Sequence, residues 1–254
     1  MGLFDLHGRV AIITGGNGGI GLGMAEGLAA AGAAVVLAGR NAGKGAAAVK
    51  RIADAGHRAE FAEVDVTSEA SCRALIDGAA ARHGRLDILV NNAGTNIRKP
   101  PDTLDLAEWR TVLDTNLTSA FVCTQAAYPH MVKAGGGKII NIGSMMSIFG
   151  ASFVAAYAAS KGGLVQFSRA CATAWAKDNI QVNAVLPGWI DTELTQGARR
   201  EVDGLHERVL ARTPAGRWGE PGDFAGIAVF LASPASGFIT GTAIPVDGGY
   251  SVQG

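Results

Sequence analysis

The sequence predicts a doubly wound α/β fold, a seven-stranded parallel sheet with helices on both faces. Three observations predict it. Short apolar runs rich in Val and Ile recur along the 254 residues, and Ala-rich stretches of helical period separate them. The runs are continuously apolar rather than alternating, as in strands buried on both faces. Strand–helix alternation in turn requires right-handed crossovers and a parallel sheet.

The first strand is expected at 10–14, followed by a glycine-rich turn and a helix at 19–31. Strands at 34–38 and 59–64 flank a helix at 42–55. A helix at 68–83 leads to a strand at 86–90. The pattern at 105–133 reads as one long helix. A strand at 138–142, a helix at 155–177, a strand at 181–185, a helix at 221–232 and a strand at 242–246 complete the series. The stretch 189–216 interrupts this rhythm, with helical pattern around 201–211. An excursion at the carboxyl end of a strand is where a substrate lid belongs. No Pro-, Ser- or charge-rich linker divides the chain, so residues 1–254 are expected to form a single domain.

Lys plus Arg and Asp plus Glu are 22 each, for a formal charge of zero. Without a basic excess the chain lacks the electrostatic footprint of a nucleic-acid or anionic-lipid binder. The three cysteines, at 72, 123 and 171, form no CxxC pair, which suits a reducing compartment. Asp5 and His7 rule out an apolar leader at the start, so a cytoplasmic protein is expected. The uncharged stretch 139–160 is long enough to span a bilayer. It contains Asn141, Ser144, Ser147, Ser152 and Tyr157, and is broken by Gly143 and Gly150. That composition points to a strand, loop and helix of a globular core. The five histidines show no ligand-pair spacing, so no metal is expected.

Thr14-Gly15-Gly16-Asn17-Gly18-Gly19-Ile20-Gly21 directly follows the first strand and opens the first helix. Glycines there let backbone N–H groups approach a pyrophosphate, and the helix N-terminus adds favourable partial charge. Glycine also collects in turns for steric reasons alone, so its position between strand and helix carries the reading. The second strand ends in Gly39-Arg40-Asn41, with no acid to hold a ribose 2′-OH. Arg40 suits a 2′-phosphate, which favours NADP(H) over NAD(H); the alternative is a solvated arginine at a strand end. Asp65, after the third strand, is placed either to touch adenine or to cap the next helix.

Tyr157 and Lys161 lie four apart at the start of a predicted helix and so share one face. Bringing a phenol from a pKa near 10 to about 7 takes roughly 4 kcal/mol, at 1.36 per unit. A nearby ammonium acts in that direction. Ser144, at the end of the strand at 138–142, is placed to hydrogen-bond a substrate oxygen. Asn116 falls inside a predicted helix although Asn is a poor helix former, which marks a kink, a bound water or a satisfied buried amide.

With these motifs together, the chain resembles the short-chain dehydrogenase/reductase family over essentially its whole length. Thr14 to Gly21 matches the family's T-G-x-x-x-G-x-G loop, and Asn91-Asn92-Ala93-Gly94 matches its N-N-A-G element. Ser144, Tyr157 and Lys161 match the catalytic serine and the Y-x-x-x-K pair, with Asn116 as fourth member. Pro187-Gly188 followed by Thr192 matches the segment that holds the nicotinamide amide. The resemblance implies a Rossmann fold and hydride transfer between a nicotinamide and a secondary alcohol or ketone. It implies Tyr157 as acid/base, Lys161 lowering its pKa and binding ribose hydroxyls, Ser144 orienting the carbonyl, and Asn116 holding a water that restores the proton. The implied cofactor set is Gly15, Asn17, Gly18, Gly19, Ile20, Gly21, Arg40, Asp65, Val66, Asn92, Ala93, Gly94, Tyr157, Lys161, Pro187, Gly188, Ile190 and Thr192. It also implies a homotetramer built through the long helices and the C-terminal segment.

Substrate choice is expected in the loop after Gly94, the stretch 145–156 and the lid. Arg98 and Lys99 suit a carboxylate, as in sugar-acid dehydrogenases such as those of gluconates, which the 95–99 region resembles. They also suit plain solvated charges before Pro100-Pro101. Met145, Met146, Ile148, Phe149 and Phe153 suit an apolar substrate instead, which keeps a 3-oxoacyl thioester reductase and a promiscuous ketone reductase open. A catalytically silent dinucleotide sensor requires damage at Ser144, Tyr157 or Lys161, and all three are intact.

Overall fold

The structure, a computed structural model, describes residues 2–254. Its strands are β1 (Val10–Thr14), β2 (Ala34–Gly39), β3 (Ala59–Glu63), β4 (Ile88–Asn91), β5 (Gly137–Ile142), β6 (Ile180–Pro187) and β7 (Ala243–Val246). They form one sheet in the order β3-β2-β1-β4-β5-β6-β7, with every neighbouring pair parallel. The helices are α1 (Gly19–Ala30), α2 (Ala42–Asp54), α3 (Glu69–His83), α4 (Leu106–Leu113), α5 (Ser119–Lys133), α6 (Ala155–Trp175), α7 (Glu193–Glu201), α8 (Leu205–Arg212) and α9 (Ala225–Ala232).

Alternate residues of each strand feed opposite faces of the sheet. Ile13, Val35, Leu37 and Val90 pack against Met24 and Leu28 of α1 and Leu231 of α9. Ile12, Val36 and Leu89 pack against Leu75 and Ile76 of α3 and Val122 of α5. All five residues of β1 are buried, which explains its unbroken apolar run. The chain runs outward from β1 to β3 and returns to β4 on the other side of β1. That reversal leaves a crevice at the carboxyl ends of β1 and β4, where ligands of such sheets bind.

Two expectations need correction. The pattern at 105–133 is not one helix. A π-turn, Asp114–Thr118, separates α4 from α5, and the Ser119 N–H reaches back to the Asp114 carbonyl. The helical pattern around 201–211 is also displaced. Glu201 ends α7, and Gly204, in the left-handed region at φ +66°, caps α8, which starts at Leu205. These two helices close on a small core of Ala198, Leu205, Val209 and Trp218. Trp189 meets Trp218 edge-on with ring centroids 5.6 Å apart, and the Arg199 guanidinium lies 3.7 Å from the Trp218 ring centroid.

No helix among the described residues is long and apolar enough to cross a membrane. The stretch 139–160 is β5, a short 3₁₀ turn at Met145–Ser147, a loop and the start of α6. All three cysteines are free and buried.

Candidate active site

The glycine turn takes its shape from backbone geometry. Gly15 and Gly19 have φ of +64° and +51°, where side chains are strained. Gly18 precedes α1 with no side chain capping the helix, so the first N–H groups of α1 have no side-chain acceptor. A Cβ on Gly21 would lie 2.4 Å from Asn92 Nδ2 and 2.5 Å from the Gly15 carbonyl. Asn92 Nδ2 donates to the carbonyls of Thr14 and Gly15 at 3.0 and 3.1 Å. Thr14 Oγ1 accepts from the N–H groups of Asn92 and Ala93. The N-N-A-G element thus braces the glycine turn. Asn91 faces the core, donating to Thr124 and Asn141.

A cleft of about 370 Å³ opens at the carboxyl ends of β1, β4 and β5. Gly15, Asn17, Gly18, Gly19, Ile20, Asn92, Ala93, Gly94, Ser144, Tyr157, Lys161, Pro187, Gly188, Ile190 and Thr192 line it. A neighbouring cavity of about 400 Å³ shares Gly15, Asn17, Ala93 and Gly94 and extends to Arg40, Asp65 and Val66. Gly21 lies behind the turn, and Asn116 lies behind the cleft and is buried. An uncapped helix N-terminus, glycines admitting close approach and two joined cavities fit a dinucleotide.

Arg40 is exposed at the rim of the second cavity and makes no ion pair among the described residues. Asp65 accepts from the Thr67 backbone and hydroxyl, which hold its carboxyl below the usual range, with a small contribution from Arg40. The cap of α3 is Ser68, not Asp65, which leaves Asp65 as a cavity residue.

Tyr157 and Lys161 occupy successive turns at the start of α6. Lys161 Nζ lies 5.7 Å from the Tyr157 ring centroid and donates to the Ile142 carbonyl at 2.6 Å. Burial lowers its ammonium to about 8. Burial pushes the Tyr157 phenol up, while the Ser144 hydroxyl and the charge of Arg98 oppose that rise. Ser144 has extended backbone at the end of β5, and its Oγ accepts from Met146 N–H at 3.1 Å.

Two serines unmarked by the sequence reading tie these groups together. Ser147 Oγ donates to the Lys161 carbonyl at 2.9 Å and accepts from the Ser144 N–H at 3.2 Å. Ser160 Oγ donates to the Tyr157 carbonyl at 2.7 Å and accepts from Asn116 Nδ2 at 3.0 Å. Their only sequence signal was adjacency to Ser144 and Lys161. Asn116 sits in the π-turn, as its poor helix propensity suggested, and its amide is fully satisfied. Its Oδ1 accepts from Thr95 N–H and its Nδ2 also donates to the Thr95 carbonyl.

The two candidate cations separate. Lys99 pairs with Glu108, whose carboxylate also closes the cap of α4. The Arg98 side chain is only 19% exposed, donates to Glu201 at 2.9 Å and to the Leu194 carbonyl at 3.2 Å, and favours ionised Tyr157. Of the apolar candidates, Met145 is packed into a cluster with Val165, Ala184 and Leu186.

The family model described as enoyl-(acyl carrier protein) reductase matches residues 15–251. The 2-dehydro-3-deoxy-D-gluconate 5-dehydrogenase of Escherichia coli K12 is 43% identical over 253 residues, 98% of each chain. A gluconate 5-dehydrogenase from Burkholderia cenocepacia J2315, solved in complex with NADP and tartrate, is 43% identical with TM-score 0.93. That match covers 98% of this chain and 97% of the other. A short-chain type dehydrogenase/reductase from Mycobacterium marinum superposes with TM-score 0.93 at 36% identity, covering 98% of both chains. Sequence, fold and the Ser144–Tyr157–Lys161 arrangement agree, and the chain belongs to the short-chain dehydrogenase/reductase family of oxidoreductases.

Proposed function

We propose that the protein is an NADP(H)-dependent dehydrogenase that oxidises a secondary alcohol of a sugar acid and reduces the matching ketone. The observation that carries the substrate class is Arg98, a shielded guanidinium in the loop after Gly94 that donates to the carbonyl of the cleft residue Leu194. Packing of Met145 away from the cleft weighs against an apolar wall. The names of the E. coli and B. cenocepacia relatives point the same way. Arg40 at the rim, with no acid at the end of β2, supports NADP(H) over NAD(H).

Bound NADP+ supplies the hydride acceptor and a positive ring that favours the phenolate. Tyr157 takes the hydroxyl proton in oxidation and returns it in reduction. Ser144 orients the substrate oxygen against the phenol. Lys161 brings an ammonium to the tyrosine ring and is placed for ribose hydroxyls. Asn116 keeps the π-turn in register, with Ser160 linking it to the Tyr157 backbone. The excursion 189–216 acts as the substrate lid of a single domain.

The protein is read as soluble and cytoplasmic, and as a homotetramer. An apolar groove of about 290 Å³ between α5 and α6, bounded by Phe121, Phe167 and Trp175, supports the assembly. Phe238, fully exposed beside the edge strand β7, supports a second contact.

The test is absorbance at 340 nm with D-gluconate, a neutral hexitol, an oxoacyl thioester and simple ketones, each with both cofactors. Turnover favouring gluconate with NADP+, lost in Arg98→Met, is expected. Preference for thioesters or apolar ketones would overturn the sugar-acid reading.

A further inference from the structure

The first turn of α7 forms part of the cleft wall, yet Ala198 alone of its nine residues is buried. A helix with so few apolar contacts belongs to the part of a fold that opens locally. Two ion pairs tie it to the body of the molecule. Glu193, in its first turn, receives Lys44 Nζ on both carboxylate oxygens at 2.7 Å. Glu201, at its last position, receives Arg98 at 2.9 Å. Arg98 also donates to the Leu194 carbonyl of α7 at 3.2 Å, and Arg199 lies over the Trp218 ring; the pairs of Arg199 and Gln196 to Asp191 stay within the excursion.

Lys44 faces the ligand sites and Arg98 borders them. Lys44 lines the cleft and, with Arg40, the second cavity. Arg98 borders the cleft through Leu194, a residue of its wall, to whose carbonyl it donates at 3.2 Å.

We propose that Glu193 and Glu201 are latch carboxylates, each holding α7 down through a cation that an anionic ligand group also needs. Glu193 competes with the cofactor 2′-phosphate for Lys44, and Glu201 competes with the substrate carboxylate for Arg98. The proposal rests on the NADP and sugar-acid readings above. Both latch pairs are exposed on the acid side, so each holds the helix by only roughly 2- to 5-fold. A charge-assisted pair to a ligand anion inside a cleft is stronger, roughly tenfold or more, so the ligand wins the exchange. Neutral substrates and NAD(H) leave the latches closed, and the lid thereby reads the charge of both ligands.

Hydrogen–deuterium exchange of residues 193–201 tests the cofactor end. Adenosine 2′,5′-bisphosphate is expected to speed exchange there by about 2- to 5-fold, and adenosine 5′-monophosphate is not. In Glu193→Gln exchange is already fast and the bisphosphate adds nothing. At the substrate end, Glu201→Gln is expected to lower KM for D-gluconate by about 2- to 5-fold while leaving KM for a neutral hexitol unchanged. If the bisphosphate binds tighter than the monophosphate yet leaves exchange unchanged, and Glu201→Gln leaves KM unchanged, the latches fall and the ligand reading stands. If the bisphosphate binds no tighter and Arg98→Met leaves the gluconate KM unchanged, both fall together.

Discussion

Among the described residues, the Lys161 ammonium has one hydrogen-bond partner, the Ile142 carbonyl, and no carboxylate. Burial brings it to about 8 from 10.5. The folded state therefore binds this proton less well than the unfolded chain. That penalty is present in full below pH 8 and disappears as pH rises to about 10.5. At 1.36 kcal/mol per unit it amounts to about 3 kcal/mol at neutral pH. Lys161→Met is thus expected to abolish turnover and yet raise stability by about 1–3 kcal/mol at pH 7, with the gain fading by pH 10. Urea unfolding at both pH values checks this, and a destabilised variant at pH 7 would contradict it. Tyr157, Lys161 and Ser144 were legible in the sequence because acid/base chemistry needs those residue types at that spacing. Ser147 and Ser160 were not, because they act through backbone carbonyls that no residue type announces.

The turn after β2 is an element whose chemistry a single residue decides. Arg40 makes no ion pair among the described residues, so on the NADP reading a 2′-phosphate would meet an unpaired guanidinium. Arg40→Asp is expected to weaken NADPH binding by about 10- to 100-fold and to leave NADH binding nearly unchanged, as read by cofactor fluorescence titration. Equal losses would sink the 2′-phosphate assignment. Strands of the sheet were legible because burial on both faces writes a continuous apolar run. The split of 105–133 was marked only by Asn116, since a π-turn of five residues is too short for its shift of helix face to stand out from the apolar pattern on either side. Helix α7 was missed because Glu193, Arg199, Arg200 and Glu201 surround one buried residue, Ala198, and Gly197 interrupts its middle. Such a helix has almost no apolar face to read.

At the scale of the molecule, the order of strands puts the glycine turn, the N-N-A-G brace and the start of α6 at one end of the sheet. The exposed groove at Phe121 and Phe167 lies away from that end, on α5 and α6. If the proposed homotetramer forms through this groove, Phe121→Lys is expected to lower the mass seen by light scattering, with NADPH affinity retained. An unchanged mass would place the assembly elsewhere. The proposed role of Tyr157 is to move the proton in a dinucleotide-dependent oxidation. Its most direct test is the rate of NADPH formation at 340 nm by Tyr157→Phe beside the unchanged protein, with NADPH binding measured on the same samples. A loss of about 10²- to 10⁴-fold in kcat with cofactor affinity intact is expected. Turnover within a few-fold of the unchanged protein would contradict it.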